Sequence, residues 1–167
     1  MKTIPRVIVV GSIDPMTQLD VWLIKKAENI FKHKDKGPVF VCIFDEEEKT
    51  KPLFSLEERI DIAYKFYGIP KENILKPSNK KSVIDYIEKA DRVVCSFNNE
   101  DEKGEFLKKF QTNKEKILCI PAEKSVADIS SVKLIEMINN GKYKPSHLWI
   151  HPQLISVIKN KILQGKK

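Results

Sequence analysis

The stretch Val7-Ile8-Val9-Val10-Gly11-Ser12-Ile13-Asp14-Pro15-Met16-Thr17 opens with four β-branched residues and then breaks into glycine, serine, aspartate and proline. A short unbroken apolar run of this kind suits a strand covered on both faces, as strands of a parallel sheet are. The next segment keeps a different period. From Gln18 to Lys32 the apolar residues Leu19, Leu23, Ala27 and Ile30 recur at helical spacing, with Trp22 and Phe31 beside them. Strand, tight turn and amphipathic helix in that order are the first half of a βαβ unit.

The alternation continues along the chain. Val39 to Phe44 is a second apolar run, and Ser55 with Glu58 three residues on forms a capping box ahead of a helix that stops near Gly68-Ile69-Pro70. Strands are expected at Asn73 to Lys76, Arg92 to Phe97 and Lys116 to Ile120. Helices are expected at Ser82 to Ala90, Glu105 to Gln111, Ser131 to Asn139 and Pro152 to Leu163, the last with proline in its first turn. Such alternation implies parallel strands joined by right-handed crossovers, with helices on both faces. The expectation is one α/β domain over residues 1–167, Rossmann-like, with a five-stranded parallel sheet. Ligands in such sheets sit beyond the carboxyl ends of the strands. The acidic run Asp45 to Glu48 and the polar stretch Asn98 to Lys103 are both expected as loops overlooking that edge.

Composition narrows the class of partner. The chain has 167 residues, 41% hydrophobic and 32% charged, and no apolar run near the ~20 residues of a membrane helix. Its net charge is +7, yet only Arg6, Arg59 and Arg92 are arginines, and the lysines interleave with acids. That pattern describes a solvated surface that draws in small anions, not a nucleic-acid groove, where arginine and aromatics cluster on one element. Cys42, Cys95 and Cys119 each lie in an apolar segment at spacings that fit no zinc site, so they read as buried free thiols of a cytoplasmic protein. His33, His147 and His151 have no spacing for a metal site or a triad.

Three ordered motifs carry a family resemblance. Gly11-Ser12-Ile13-Asp14-Pro15-Met16-Thr17 follows the first strand; Lys51-Pro52-Leu53-Phe54-Ser55-Leu56-Glu57-Glu58-Arg59 follows the second; Ile120-Pro121-Ala122-Glu123 leads on to Ile129-Ser130-Ser131. Together they resemble the phosphopantetheine adenylyltransferases of the nucleotidyltransferase superfamily, thinly from residue 5 to about residue 163. The resemblance implies adenylyl transfer from ATP, with magnesium, to 4′-phosphopantetheine, a step of coenzyme A biosynthesis, and it implies a homo-oligomer. It assigns Ser12 and Lys51 to the phosphate of the acceptor. Gly11, Ser12, Thr17, Ser130 and Ser131 would hold the nucleotide, the last two at a helix start where free N–H groups meet an anion. No membrane or nucleic-acid partner is expected.

The chain departs from the family where the chemistry lies. The family's Thr/His-x-Gly-His run reads here Thr17-Gln18-Leu19-Asp20, so Asp20 replaces the histidine that steadies charge growing at the α-phosphate. Lys51 and Asp20 are the catalytic candidates, and a magnesium bridge from Asp20 to phosphate is one way to restore the sign. The family's Arg-Gly-x-Arg segment reads Cys95-Ser96-Phe97-Asn98, which forfeits both phosphate-gripping arginines. Arg92, three residues before Cys95, is expected to point elsewhere. Activity reduced or lost is therefore expected. Two other readings stand beside it: a pseudoenzyme that keeps nucleotide or pantetheine binding or acts as a partner subunit, and a transferase with a different acceptor.

Overall fold

The structure is a computed structural model and describes residues 7–11, 13–31, 37–44, 52–96, 100–110, 114–120, 131–141, 143 and 150–165. Among the described residues five strands form one sheet: β1 (Val7–Gly11), β2 (Val39–Ile43), β3 (Ile74–Leu75), β4 (Arg92–Cys95) and β5 (Ile117–Cys119). Every pairing is parallel and the order is β3-β2-β1-β4-β5. Among the described residues six helices accompany them: α1 (Gln18–Phe31), α2 (Leu56–Tyr67), α3 (Lys80–Lys89), α4 (Glu100–Phe110), α5 (Ser131–Asn139) and α6 (Pro152–Gln164). This is the α/β, Rossmann-like architecture that the alternation implies.

Side-chain alternation along the strands divides the core in two. Val7, Val9, Val41 and Val94 point to one face, packed with the apolar stripes of α1, α2, α5 and α6. Ile8, Cys42 and Val93 point to the other, beneath α3 and α4, where Val83, Ile87 and Phe110 meet them. All five residues of β2 are buried, and β1 is buried up to Gly11. Both faces are thus covered, which is why these strands read as continuous apolar runs rather than alternating ones. Right-handed crossovers put α1 and α2 on one face while the chain steps outward from β1 to β3. The chain then crosses to β4, and its helices change face. In open α/β sheets such a reversal marks the carboxyl ends of the two strands, here β1 and β4, as the place where ligands bind.

Element boundaries moved where local chemistry outweighed periodicity. Asn79 caps α3, its side-chain oxygen accepting from the Ser82 N–H at 2.9 Å, so this helix begins two residues before the expected Ser82. Glu100 to Lys103, expected in a polar loop, form the first turn of α4, with Lys103 paired to Glu100 at 3.3 Å. Polar residues pack nothing and leave no apolar period to detect, yet they propagate a helix well. The third strand shrinks to Ile74–Leu75 behind a 3₁₀ turn at Lys71–Asn73.

Candidate functional site

At the carboxyl end of β1 the chain turns sharply. Gly11 closes against its own loop, since a Cβ there would stand 3.1 Å from the Ile13 side chain. Ile13 adopts a left-handed φ of 49° with its side chain buried. A β-branched residue is strained in that region and is held only where its surroundings over-determine it. The Asp14–Pro15 peptide is cis.

The holding group is Asp14. Its Oδ2 accepts the Leu53 N–H at 2.6 Å and its Oδ1 accepts the Phe54 N–H at 3.1 Å. One carboxylate therefore clamps the turn after β1 to the segment that enters α2, across about forty residues of sequence. Charge-assisted bonds of this kind are roughly twice as strong as neutral ones. Ser55 then caps α2 with both limbs of the capping box: Glu58 N–H to Ser55 Oγ at 3.3 Å and Ser55 N–H to Glu58 Oε2 at 2.8 Å.

Thr17 is the N-cap of α1, and Asp20 stands three residues inside. Oδ2 of Asp20 accepts from the Thr17 N–H at 2.7 Å and from the Thr17 hydroxyl at 2.8 Å. In return the Asp20 N–H donates to Thr17 Oγ1 at 3.4 Å. This is a capping box with aspartate in the place usually taken by glutamate. Burial pushes the Asp20 carboxyl above the ordinary aspartate range, and the bonds from Thr17 oppose it. Both donors fall on one oxygen, and among the described residues Oδ1 takes no hydrogen bond.

Two residues missed by sequence reasoning complete the frame. The Tyr67 hydroxyl donates to the Met16 carbonyl at 2.9 Å and accepts the His151 N–H at 3.1 Å. It pins the end of α2 to the β1–α1 turn and to the start of α6. Burial pushes its phenol up to about 12; the bond from His151 opposes that rise, and the charge of Asp20 adds to it. Arg59 is 1% exposed and donates from Nη1 to the Phe44 carbonyl at 3.1 Å, tying α2 to the end of β2. Its place in a motif is visible in the sequence; its burial is not.

Beside this frame lies an open cleft of about 890 Å³, walled by Asp14, Leu53, Glu58, Glu136 and Lys161 among others. Lys161 binds Glu58 at 2.5 Å and lies over the Phe54 ring at 5.9 Å. The hydrogen bond from Lys161 holds the Glu58 carboxyl below its usual range, helped by the Ser55 N–H. Three carboxylates face one lysine, so the described walls are net acidic.

Of the expected site residues, Gly11, Thr17 and Asp20 share the β1–α1 turn, and Ser131 is the first residue of α5. Ser12, Lys51 and Ser130 lie outside the described residues, as do Phe97, Asn98 and the run Asp45 to Glu48. Arg92 opens β4 at the amino ends of the strands, exposed, its guanidinium on the Asp91 carbonyl at 3.0 Å. Among the described residues no cluster of three or more metal-ligating side chains occurs, and no helix is long and apolar enough to cross a membrane.

The chain is 29% identical over 136 residues to a phosphopantetheine adenylyltransferase of Clostridium novyi (strain NT), spanning 76% of this chain and 80% of that protein. No protein-family model matches the chain. The similarity runs through most of both chains and agrees with the fold.

Proposed function

We propose that this chain is a phosphopantetheine-adenylyltransferase-like protein that binds ATP and a phosphopantetheine-type acceptor, with adenylyl transfer weakened by its own substitutions. The observation that carries the reading is the Asp14 clamp. It joins the turn after β1 to the Leu53–Phe54 segment, so two of the three motifs behind the resemblance meet at one edge of the sheet. The similarity to the Clostridium novyi enzyme supports the same reading.

In this reading Ser12 and Lys51 hold the acceptor phosphate. Gly11, Thr17 and the start of α5 at Ser130 and Ser131 hold the nucleotide, helix N–H groups supplying the positive end of a dipole. The acceptor phosphate attacks the α-phosphate in line; pyrophosphate leaves, and dephospho-coenzyme A forms. The protein mainly positions and neutralises. A magnesium ion is commonly held by one or two carboxylates plus substrate phosphates. Asp20, with Oδ1 open among the described residues, is the group that fits it, and the ion would supply charge neutralisation at the phosphates. A homo-oligomer belongs to the same proposal.

A pseudoenzyme is the second reading, favoured by one observation: Asp20 serves as a helix cap while standing where the family carries a cationic donor. Pyrophosphate release and calorimetry separate the two. Slow but substrate-dependent pyrophosphate release supports the weakened enzyme. Binding of both ligands with no release supports the pseudoenzyme, and ATP binding alone indicates a different acceptor. Absence of binding to either ligand overturns both.

A further inference from the structure

Cys95 and Cys119 end adjacent parallel strands as register partners. The ladder holds through this point, since the Ile120 N–H donates to the Cys95 carbonyl at 3.0 Å. Side chains alternate along a strand, and Val93 and Ile117, two residues earlier, both belong to the core beneath α3 and α4. The two thiols therefore project from the same face. Neighbouring strands stand about 4.8 Å apart, inside the roughly 4.4–6.8 Å window of Cα separations that a disulfide spans. The burials differ usefully. Cys95 is buried and Cys119 is partly accessible, while the third cysteine, Cys42, is fully buried on β2.

We propose that Cys95 and Cys119 form a redox-active dithiol that closes to an intramolecular disulfide when the protein meets a hydroperoxide. The accessible Cys119 sulfur attacks the peroxide, breaking the O–O bond; Cys119 becomes a sulfenic acid and an alcohol or water leaves. The Cys95 sulfur then attacks the Cys119 sulfur. An S–S bond forms, the S–OH bond breaks, and water departs with the Cys95 proton, so two thiols lose two electrons and the peroxide gains them.

The surroundings suit this division of labour. Burial pushes the Cys95 thiol above the ordinary range, contact with Cys119 adds to that, and the charge of Lys103 in the first turn of α4 opposes it. The buried Cys95 is accordingly the resolving thiol, and the more accessible Cys119 is the one that meets the peroxide first. Cys42, pushed up to about 12 by burial, is the internal control. A closed structural metal site needs four ligands, and no such cluster occurs among the described residues.

The test is to expose the folded protein to hydrogen peroxide, block free thiols by alkylation after unfolding, and map the peptides by mass. The expected result is loss of two hydrogens from the intact protein, a Cys95–Cys119 cross-linked peptide, and Cys42 alkylated as before. Cys95→Ser should convert the product to an oxygenated Cys119, and Cys119→Ser should abolish the reaction. If wild-type Cys95 and Cys119 both remain alkylatable, or Cys119 forms only a dimer between chains, the proposal is overturned. The mapping requires no ATP or pantetheine, so its outcome is independent of the proposed transferase function.

Discussion

Asp20 caps α1 through Thr17, and in the proposed function the same carboxyl stands against charge that builds at the phosphates. Its carboxyl is raised above 3.8 by burial, so in the window from 3.8 up to its native value the folded protein binds more protons than the unfolded chain. Unfolding free energy then falls as pH rises through that window, and the loss is complete above it. Asp20→Asn keeps an acceptor oxygen for Thr17 and removes the ionisation. We expect the variant to gain stability relative to wild type as pH is raised through the window, with no such gain below 3.8. Urea unfolding at a series of pH values checks it; a constant difference between the two proteins would falsify the assignment. The same position bears on function. Asp20→His should tighten nucleotide binding, because it exchanges a repelling group for a donor at the phosphates. Titration of ATP into both proteins decides that, and an unchanged affinity would remove Asp20 from the site.

Among the elements, the connections between segments carry as much of the architecture as the segments do. Removing the clamp by Asp14→Ala strands two partly buried N–H donors and releases the strained turn at Ile13. The expected loss is about 2–3 kcal/mol of unfolding free energy, near the upper range for bonds to a charged group. Asp14→Asn keeps one acceptor oxygen and should lose less. Equal unfolding midpoints for wild type and Asp14→Ala would mean that the loops are held elsewhere. Tyr67→Phe probes the second pin: it removes the bonds to the Met16 carbonyl and the His151 N–H and should cost about 1–3 kcal/mol. The end of α2 reads directly from sequence. Gly68 takes a left-handed φ of 68°, and its N–H donates to the Tyr64 carbonyl at 3.1 Å, a left-handed helix end that glycine permits without strain.

For the molecule as a whole, the expectation is binding that outlasts catalysis. Helix N-termini and a single lysine can hold an anion in the ground state without stabilising charge that develops during reaction. Adenylyl transfer should run at least about a hundredfold below that of intact family members, roughly 3 kcal/mol of lost transition-state stabilisation. Family-like turnover in a pyrophosphate-release assay would contradict this. Lys51→Ala should weaken binding of a phosphorylated ligand by about 1–3 kcal/mol by calorimetry. No change on substitution would remove Lys51 from the proposed phosphate site.

Sequence alone determined the alternation of strands and helices, the parallel sheet and the capping box at Ser55, because each rests on residues within one turn or one strand of each other. Buried runs such as Val7 to Val10 and Val39 to Ile43 have no stable place except between two layers of helices. It also marked Gly11, Thr17 and Asp20 as neighbours at one turn. Tertiary structure alone decided the clamp of Asp14 on Leu53 and Phe54, the two hydrogen bonds of the Tyr67 hydroxyl to the Met16 carbonyl and the His151 N–H, and the burial of Arg59. It alone set Cys95 beside Cys119. The physical reason is range. Periodicity and capping are local signals, whereas a carboxylate finds its N–H donors about forty residues away only after the sheet order has brought two loops to the same edge.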